Sequence, residues 1–207
     1  RSFESNSPAT PIFHTFFFIS LGSVIFPQFL YLVPLFWISM IPFRSISGKS
    51  LVASILGILT PYWFLFGYAF YSNELTLFWT PLEEAIHFYP IHYGALTLPE
   101  ILSWGVITLL LAVSGLHYVA VSYLDKTRTR IFHSFLTIAG LWITICMALQ
   151  PVHLHILMPI QLICTAFLSG HLFTLTRNRF SGILFIVTFV VFILLMSFNL
   201  WMQFFNS

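Results

Sequence analysis

The chain has 207 residues, of which 58% are hydrophobic and only 7% are charged, and its formal net charge is +2. Soluble domains carry roughly a quarter charged residues, so this composition excludes a water-covered globule and indicates a chain embedded in lipid. The basic residues occur in ones to threes between apolar stretches, which excludes the basic stripe of a nucleic-acid-binding protein.

The first apolar stretch, residues 11–43, is too long for one straight helix across a hydrocarbon core of roughly 30 Å. A bend is predicted at Pro27, which lacks an amide donor and disfavours helical geometry at Phe26. Two short helices forming a hairpin are therefore predicted, over about residues 11–25 and 28–43.

A third span is predicted over about residues 51–71, followed by an outer loop over residues 73–100. In this loop, Thr80-Pro81-Leu82-Glu83 has the pattern of a capping box, so a short helix is predicted over about residues 80–89. Its apolar residues recur at helical spacing opposite its charged ones, which favours a helix lying flat on the membrane surface.

Four further spans follow. Thr97-Leu98-Pro99-Glu100 is a second capping-box pattern and begins the fourth span, which continues to about Tyr123. Gln150-Pro151 predicts a tight turn, and Pro159 predicts a kink. The fifth, sixth and seventh spans are predicted over about residues 131–149, 152–175 and 182–204.

The predicted fold class is all-α: a polytopic transmembrane helical bundle of about seven spans, with an early short hairpin and one short interfacial amphipathic helix. With these spans, all eight basic residues fall in alternate connections. The positive-inside tendency then predicts cytoplasmic basic loops, with residues 73–100 and the C-terminus outside. The chain is interpreted as a single transmembrane domain, 1–207, of a multi-pass bacterial inner-membrane protein. Because it begins in a polar segment without a Met, it is expected to be the C-terminal part of a longer chain.

Titratable side chains collect on the predicted outer face. Glu83, Glu84 and His87 are the candidate catalytic residues, because Glu83 and His87 lie one helical turn apart and acid–base chemistry needs such pairs. His87, His153 and His155 are the candidate metal ligands, although His153 and His155 would point about 200° apart on a helix. The alternative is structural: the capping boxes account for Glu83 and Glu100, and interfacial anchoring accounts for the histidines.

A second histidine set, His14, His117, His133 and His171, lies a few residues inside the cytoplasmic ends of predicted spans. Ionisable groups at that depth are expected to face other helices or water, so they are candidates for a proton path or a polar site. Hydrogen bonding to a neighbouring backbone carbonyl is the structural alternative. Gly-rich phosphate loops, Ser nucleophile elbows and CxxC motifs are missing from the sequence, so no cofactor is predicted.

Four stretches, LGSVIFP (21–27), FWISM (36–40), FRS (43–45) and LGILTPYW (56–63), resemble a family of uncharacterised multispanning inner-membrane proteins of Bacteroidota. This resemblance covers about residues 10–75 and implies further N-terminal spans but no activity. A looser resemblance, in the short glycine-containing span and Pro-ended bend, is to polyprenyl-sugar-dependent membrane glycosyltransferases. Those enzymes carry acidic catalytic residues in an early outer loop, which this chain lacks.

Three functions remain open from the sequence. The first is a non-catalytic, accessory or structural protein of the cell envelope, whose partners are the lipid bilayer and other envelope membrane proteins or a polyprenyl-linked lipid. The second is a membrane-embedded transferase acting on lipid-linked sugar, which predicts that Glu83, Glu84, His87 and His153 line one outer cavity. The third is a transporter, which requires a water-accessible path between the two histidine sets.

Overall fold

The computed structural model describes residues 9–175 and 179–205 of the chain. In these ranges the chain forms eight α-helices joined by turns, with no strand, which confirms the prediction of an all-helical fold. The helices form two compact units, of which unit 1 ends at Tyr89 and unit 2 begins at Pro90. The division therefore falls inside the predicted outer loop.

Unit 1 contains the predicted hairpin and the third span. Phe26 is extended, with φ −126° and ψ 93°, so the first helix ends just before Pro27 as predicted. Residues Pro27–Tyr31 form a 3₁₀ turn, and the next helix ends well before residue 43, because Pro42 disfavours helical geometry at the residue before it. The four helices of unit 1 are α1 (Ala9–Ile25), α2 (Leu32–Ser39), α3 (Gly48–Tyr71) and α4 (Thr76–Ile86).

Small residues allow α1 and α3 to approach closely. A Cβ atom added to Gly57 would lie 2.7 Å from the carbonyl oxygen of Phe13, so only glycine fits at this contact. Ser20 Oγ donates a hydrogen bond to the carbonyl of Ile58 at 2.7 Å, and Ser23 Oγ lies 2.9 Å from Tyr62 Oη. Small residues and hydroxyl hydrogen bonds are the usual means by which helices associate in lipid.

The prediction that Thr80 caps the α4 helix is wrong. The helix begins at Thr76, and Thr80 lies inside it, where its hydroxyl donates to the carbonyl of Thr76 at 2.8 Å. The additional helical turn before Thr80 is stabilised by Phe78. The ring of Phe78 packs edge-to-face on the ring of Phe66 on α3, with the two ring centres 5.4 Å apart. Tertiary packing therefore outweighs the local capping signal. The predicted end before Pro90 is confirmed.

Unit 2 contains the last four helices. The capping box at Thr97 and Glu100 is confirmed, because the Thr97 amide donates to Glu100 Oε2 at 2.8 Å. The next helix begins at Thr127 and not at residue 131, because the predicted charged loop is partly helical. The helices are α5 (Leu98–Val121), α6 (Thr127–Leu149), α7 (Leu154–Leu175) and α8 (Arg179–Phe205).

The turn between α6 and α7 forms where Gln150-Pro151 predicts it. Gln150 leaves helical geometry, with φ −131° and ψ 73°, and residues Pro151–His153 form a 3₁₀ turn before α7 begins. Pro159 lies inside α7.

A buried amide joins three helices of unit 2 near their middle. Gln161 on α7 is fully buried, and its Nε2 donates to Thr108 Oγ1 on α5 at 3.0 Å and to Thr144 Oγ1 on α6 at 2.8 Å. Gly140 on α6 faces Leu111 on α5 so closely that an added Cβ would lie 2.6 Å from Leu111 Cδ1. Helices α5, α6 and α7 therefore form a tightly joined group.

Five of the described helices are long and apolar enough to cross a membrane. They are the segments Gly48–Tyr71, Leu98–Val121, Thr127–Leu149, Pro151–Thr174 and Gly182–Phe204. The last of these, in α8, is the most apolar, yet the most apolar window within it has no buried residue. Segments Ala9–Ile25 and Pro27–Ser39 are apolar but shorter. The chain therefore has the character of a membrane-spanning protein.

Candidate functional site

The predicted catalytic residues Glu83, Glu84 and His87 lie at the end of α4 in unit 1, and all three are exposed. His87 is the residue after the helix, in extended geometry, and its amide donates to the carbonyl of Glu83 at 2.8 Å. Its ring packs edge-to-face on the ring of Tyr89, with the two ring centres 4.8 Å apart. The capping explanation for Glu83 fails with the position of Thr80, so Glu83 and Glu84 are solvent- or headgroup-facing carboxylates.

His153 and His155 take opposite environments in unit 2. His153 is the last residue of the turn before α7 and is buried, whereas the His155 side chain is 73% exposed. The two side chains therefore lie in different surroundings, and α7 begins between them. Within each unit, no three His, Cys, Asp or Glu side chains of the described residues are placed to hold a metal ion. A metal site that combines His87 with His153 and His155 stays a prediction.

An acid–base pair that the sequence analysis did not join lies at one end of unit 2. His155 Nε2 lies 2.9 Å from Glu100 Oε1, while the other carboxylate oxygen of Glu100 accepts the Thr97 amide. Glu100 and His155 are 55 positions apart, and only the packing of α5 against α7 brings them together. Both residues belonged to the predicted outer set, but nothing in their local sequence indicates the pairing.

This pair lies at the mouth of a cleft of about 580 Å³ between α8 and the pair α5 and α7. The cleft volume falls within the roughly 300–1,000 Å³ of small-molecule sites. Asn199 on α8 also lines the cleft and donates from Nδ2 to Ser103 Oγ on α5 at 3.1 Å. Its Oδ1 is buried and has no hydrogen-bond partner among the described residues. The apolar lining consists of Pro99, Ile107, Met158, Pro159, Leu162, Phe192, Leu195, Met196 and Leu200.

A second polar cluster lies at the opposite end of unit 2. His171 Nε2 lies 2.9 Å from Asp125 Oδ2, and both side chains are at most 10% exposed. The His133 ring is centred 4.3 Å from the His171 ring, and Tyr118 stacks on His133 with the ring centres 5.8 Å apart. Three helices and the turn before α6 thus contribute to one cluster, which contains two members of the second histidine set. His14, by contrast, is an exposed residue of α1 in unit 1.

The hydrogen bonds of this cluster favour a structural role. Tyr118 Oη donates to the carbonyl of Arg130 at 2.6 Å, and His133 Nδ1 donates to the carbonyl of Thr129 at 2.9 Å, because a carbonyl oxygen can only accept. A carboxylate that orients a histidine is also found in hydrolytic triads. Here, however, His171 Nδ1 is buried with no described hydroxyl or thiol in hydrogen-bonding distance, so the pair lacks a nucleophile among the described residues. The cluster fastens the turn before α6 to α5 and α7.

No family model, no curated protein and no solved structure matches this chain. The resemblance to inner-membrane proteins of Bacteroidota therefore stays an expectation based on residues 10–75. What the chain can do chemically has to be argued from its own two polar sites, the Glu100–His155 pair in the cleft and the His171–Asp125 cluster.

Proposed function

We propose that the chain is a multi-pass protein of the bacterial inner membrane with an accessory role, in which it packs against a partner membrane protein. The observation that carries this proposal is the surface of α8. This helix contains the most apolar described span, yet the most apolar window of that span has no buried residue. Ile186, Phe189 and Ile193, at i, i+3 and i+7, form one exposed face that lines none of the clefts described here. Such a face suits lipid or another helix.

The proposed topology has seven crossings, in which α1 and the segment ending with α2 pair as two short spans beside the five long ones. In unit 2, Lys126, Arg128 and Arg130 lie at the end where α5 ends and α6 begins. Placing this end in the cytoplasm satisfies the positive-inside tendency. The Glu100–His155 end of unit 2 then faces outward. Arg1 and Arg177 belong to the same proposal but lie outside the described residues, and the side chain of Arg179 is not described.

A second candidate is a membrane-embedded transferase acting on lipid-linked sugar. The specific observation in its favour is the Glu100–His155 pair, since a carboxyl and an imidazole 2.9 Å apart at a cleft mouth have the composition of an acid–base site. The accessory role is favoured because Ser103 Oγ, the hydroxyl in this cleft, accepts from Asn199, and His155 Nε2 is occupied by Glu100. No nucleophile is therefore paired with the imidazole among the described lining residues.

The test is purification of the full chain from its native membranes, with mass spectrometry of the proteins and lipids that remain bound. The accessory role predicts one membrane protein at fixed stoichiometry. A variant with Ile186→Ala, Phe189→Ala and Ile193→Ala should lose this protein. A matched control with Val52→Ala, Ile55→Ala and Leu59→Ala, the same spacing on exposed positions of α3, should keep it.

Two results would contradict the accessory role. The first is recovery of the chain without any protein at fixed stoichiometry, because an accessory role requires a partner protein. A tightly held polyprenyl-linked sugar lipid, lost on Glu100→Gln, would instead support the transferase.

A further inference from the structure

The cleft beside α8 has the length of one membrane leaflet. Its lining on α8 runs from Phe192 to Gln203, which is about 16 Å along a helix rising 1.5 Å per residue. This is about half of a hydrocarbon core of roughly 30 Å. A path for transport would have to continue through both leaflets. The dimensions therefore fit a single amphiphile that lies in one leaflet, parallel to the helices.

One end of the cleft is polar and the other is apolar, which matches the headgroup and the acyl chains of a lipid. Glu100, His155, Asn199 and Gln203 lie towards the end where α5 begins and α8 ends. Towards the membrane centre, Ile107, Leu162, Phe192 and Leu195 line it. The polar lining would therefore meet a headgroup, and the apolar lining would meet an acyl chain.

The charge of the polar end selects among headgroups. Glu100 is the acidic residue of the lining, and no Lys or Arg is among the described residues that form it. A carboxylate attracts a cation and repels an anionic headgroup. A hydrogen bond to a charged group such as this carboxylate contributes roughly 1.5–3 kcal/mol, so a headgroup that brings N–H donors is favoured.

From these observations we propose that the cleft binds one phospholipid with a primary-amine headgroup, of the phosphatidylethanolamine type, in the leaflet at the Glu100 end of unit 2. The ammonium group donates to the Glu100 carboxylate, and one acyl chain fills the apolar part. A choline headgroup carries the same charge but has no N–H donor. A glycerol headgroup leaves the phosphate charge uncompensated.

Entry of the lipid needs no opening motion. The cleft lies between α8 and its neighbours, and α8 contributes no buried residue from its most apolar window, so the groove is open sideways to the bilayer. A second, predominantly apolar groove of about 350 Å³ runs between α5 and α8 further from the Glu100 end. Its lining includes Val106, Leu110, Val113, Leu184, Val187, Thr188 and Val191. Apolar grooves therefore lie along α8 on more than one side.

The experiment uses the full chain in nanodiscs made from equal parts of ethanolamine, choline and glycerol phospholipids with identical acyl chains. Native mass spectrometry after partial removal of the lipid counts the molecules that stay bound. We expect one ethanolamine lipid to be retained, with the other two depleted. Glu100→Gln should lower its retention at least about tenfold, because a hydrogen bond to a charged group is lost. The control Glu84→Gln removes an exposed carboxylate outside the cleft and should leave retention unchanged.

A second pair of variants tests the apolar part of the cleft. Leu195→Trp fills the groove and should abolish retention of the ethanolamine lipid. Leu194→Trp adds the same side chain to a neighbouring position that is 62% exposed and does not line the groove, so it should have no effect. Circular dichroism of both variants verifies that each is folded.

Three outcomes would overturn the proposal: equal retention of the three headgroups, preference for the glycerol lipid, or equal loss in Leu194→Trp and Leu195→Trp. The proposal rests on the membrane placement given above but not on the accessory role. A chain that keeps its protein partner yet shows no headgroup preference would contradict the lipid site alone.

Discussion

Glu100 divides its carboxylate between two partners, the Thr97 amide at the start of α5 and the imidazole of His155 on α7. The first contact is local and was readable from the sequence as a capping box. The second depends on how two helices pack, and no local pattern encodes it. The same residue therefore shows both what the sequence reveals and what only the fold supplies.

Substitutions of Glu100 should separate these two contacts. Glu100→Gln keeps an oxygen that accepts the Thr97 amide, so we expect the free energy of unfolding to change by less than about 0.5 kcal/mol. Glu100→Ala removes that acceptor and should lower it by about 1 kcal/mol. Chemical unfolding of the full chain in detergent micelles, followed by circular dichroism, measures both. An equal loss in the two variants would mean that the pairing with His155, not the cap, stabilises this end.

Gln161 contributes to stability by joining α7 to both α5 and α6. Hydrogen bonds between helices in membranes are worth about 0.6 kcal/mol each, so Gln161→Leu should lower the free energy of unfolding by about 1 kcal/mol. Gln203→Leu, an exposed amide on α8, provides the control and should change it little. The same unfolding assay measures both variants. If Gln161→Leu left the free energy of unfolding unchanged, the cost of desolvating the buried amide would equal the stabilisation from its two hydrogen bonds.

At the scale of helices, four glycines inside the helices divide into two groups. Gly57 and Gly140 lie at close helix contacts, whereas Gly67 and Gly170 have no atom within 4 Å of an added Cβ. A glycine in a hydrophobic sequence is thus compatible with either role. Whether a glycine lies at a close helix contact depends on the distance between the helices, which cannot be predicted from the sequence.

Alanine substitutions should rank these contacts. At Gly57 the added Cβ meets backbone, which cannot rotate away, so we expect a loss of about 1–3 kcal/mol. At Gly140 it meets the end of the Leu111 side chain, which can move, so the loss should be smaller. Gly67→Ala should stabilise α3 by up to about 1 kcal/mol through helix propensity. The midpoints of denaturant unfolding rank the stabilities of the three alanine variants. If Gly140→Ala lost more stability than Gly57→Ala, the difference between the two contacts would be contradicted.

The predicted helices were recovered in order, and the errors fall at their ends. The break at Phe26 and the turn at Gln150 were predicted correctly from Pro27 and Pro151. A proline lacks the backbone N–H that a helix needs, so its effect falls on adjacent residues and can be predicted from the sequence. The start of α4 was misplaced because the Phe78–Phe66 contact spans two helices. The His171–Asp125 pair was missed for the same reason, since Asp125 reads as a loop charge until α7 packs beside it.

For the whole molecule, the proposed orientation makes a labelling prediction. In a background with Cys146→Ser and Cys164→Ser, Lys126→Cys should react with a membrane-impermeant maleimide only from the cytoplasmic side, in inverted vesicles. Val152→Cys, exposed in the turn between α6 and α7, should react only in intact spheroplasts. The reverse pattern would invert the topology and put the Glu100 cleft in the inner leaflet. Labelling of both from one side would refute the crossing of α6.

The absence of buried residues in the apolar window of α8 couples the shape of unit 2 to its surroundings. Helices α5, α6 and α7 are tied by Gln161, so their mutual angles are set within the protein. Helix α8 is tied to α5 by the Asn199–Ser103 hydrogen bond near its C-terminal end, and its span of 23 residues, about 35 Å long, exceeds a core of roughly 30 Å. A helix longer than its bilayer accommodates the mismatch by leaning. Bilayer thickness, which varies with acyl-chain length and temperature, therefore sets how far α8 inclines from its neighbours and how wide the groove beside it stands.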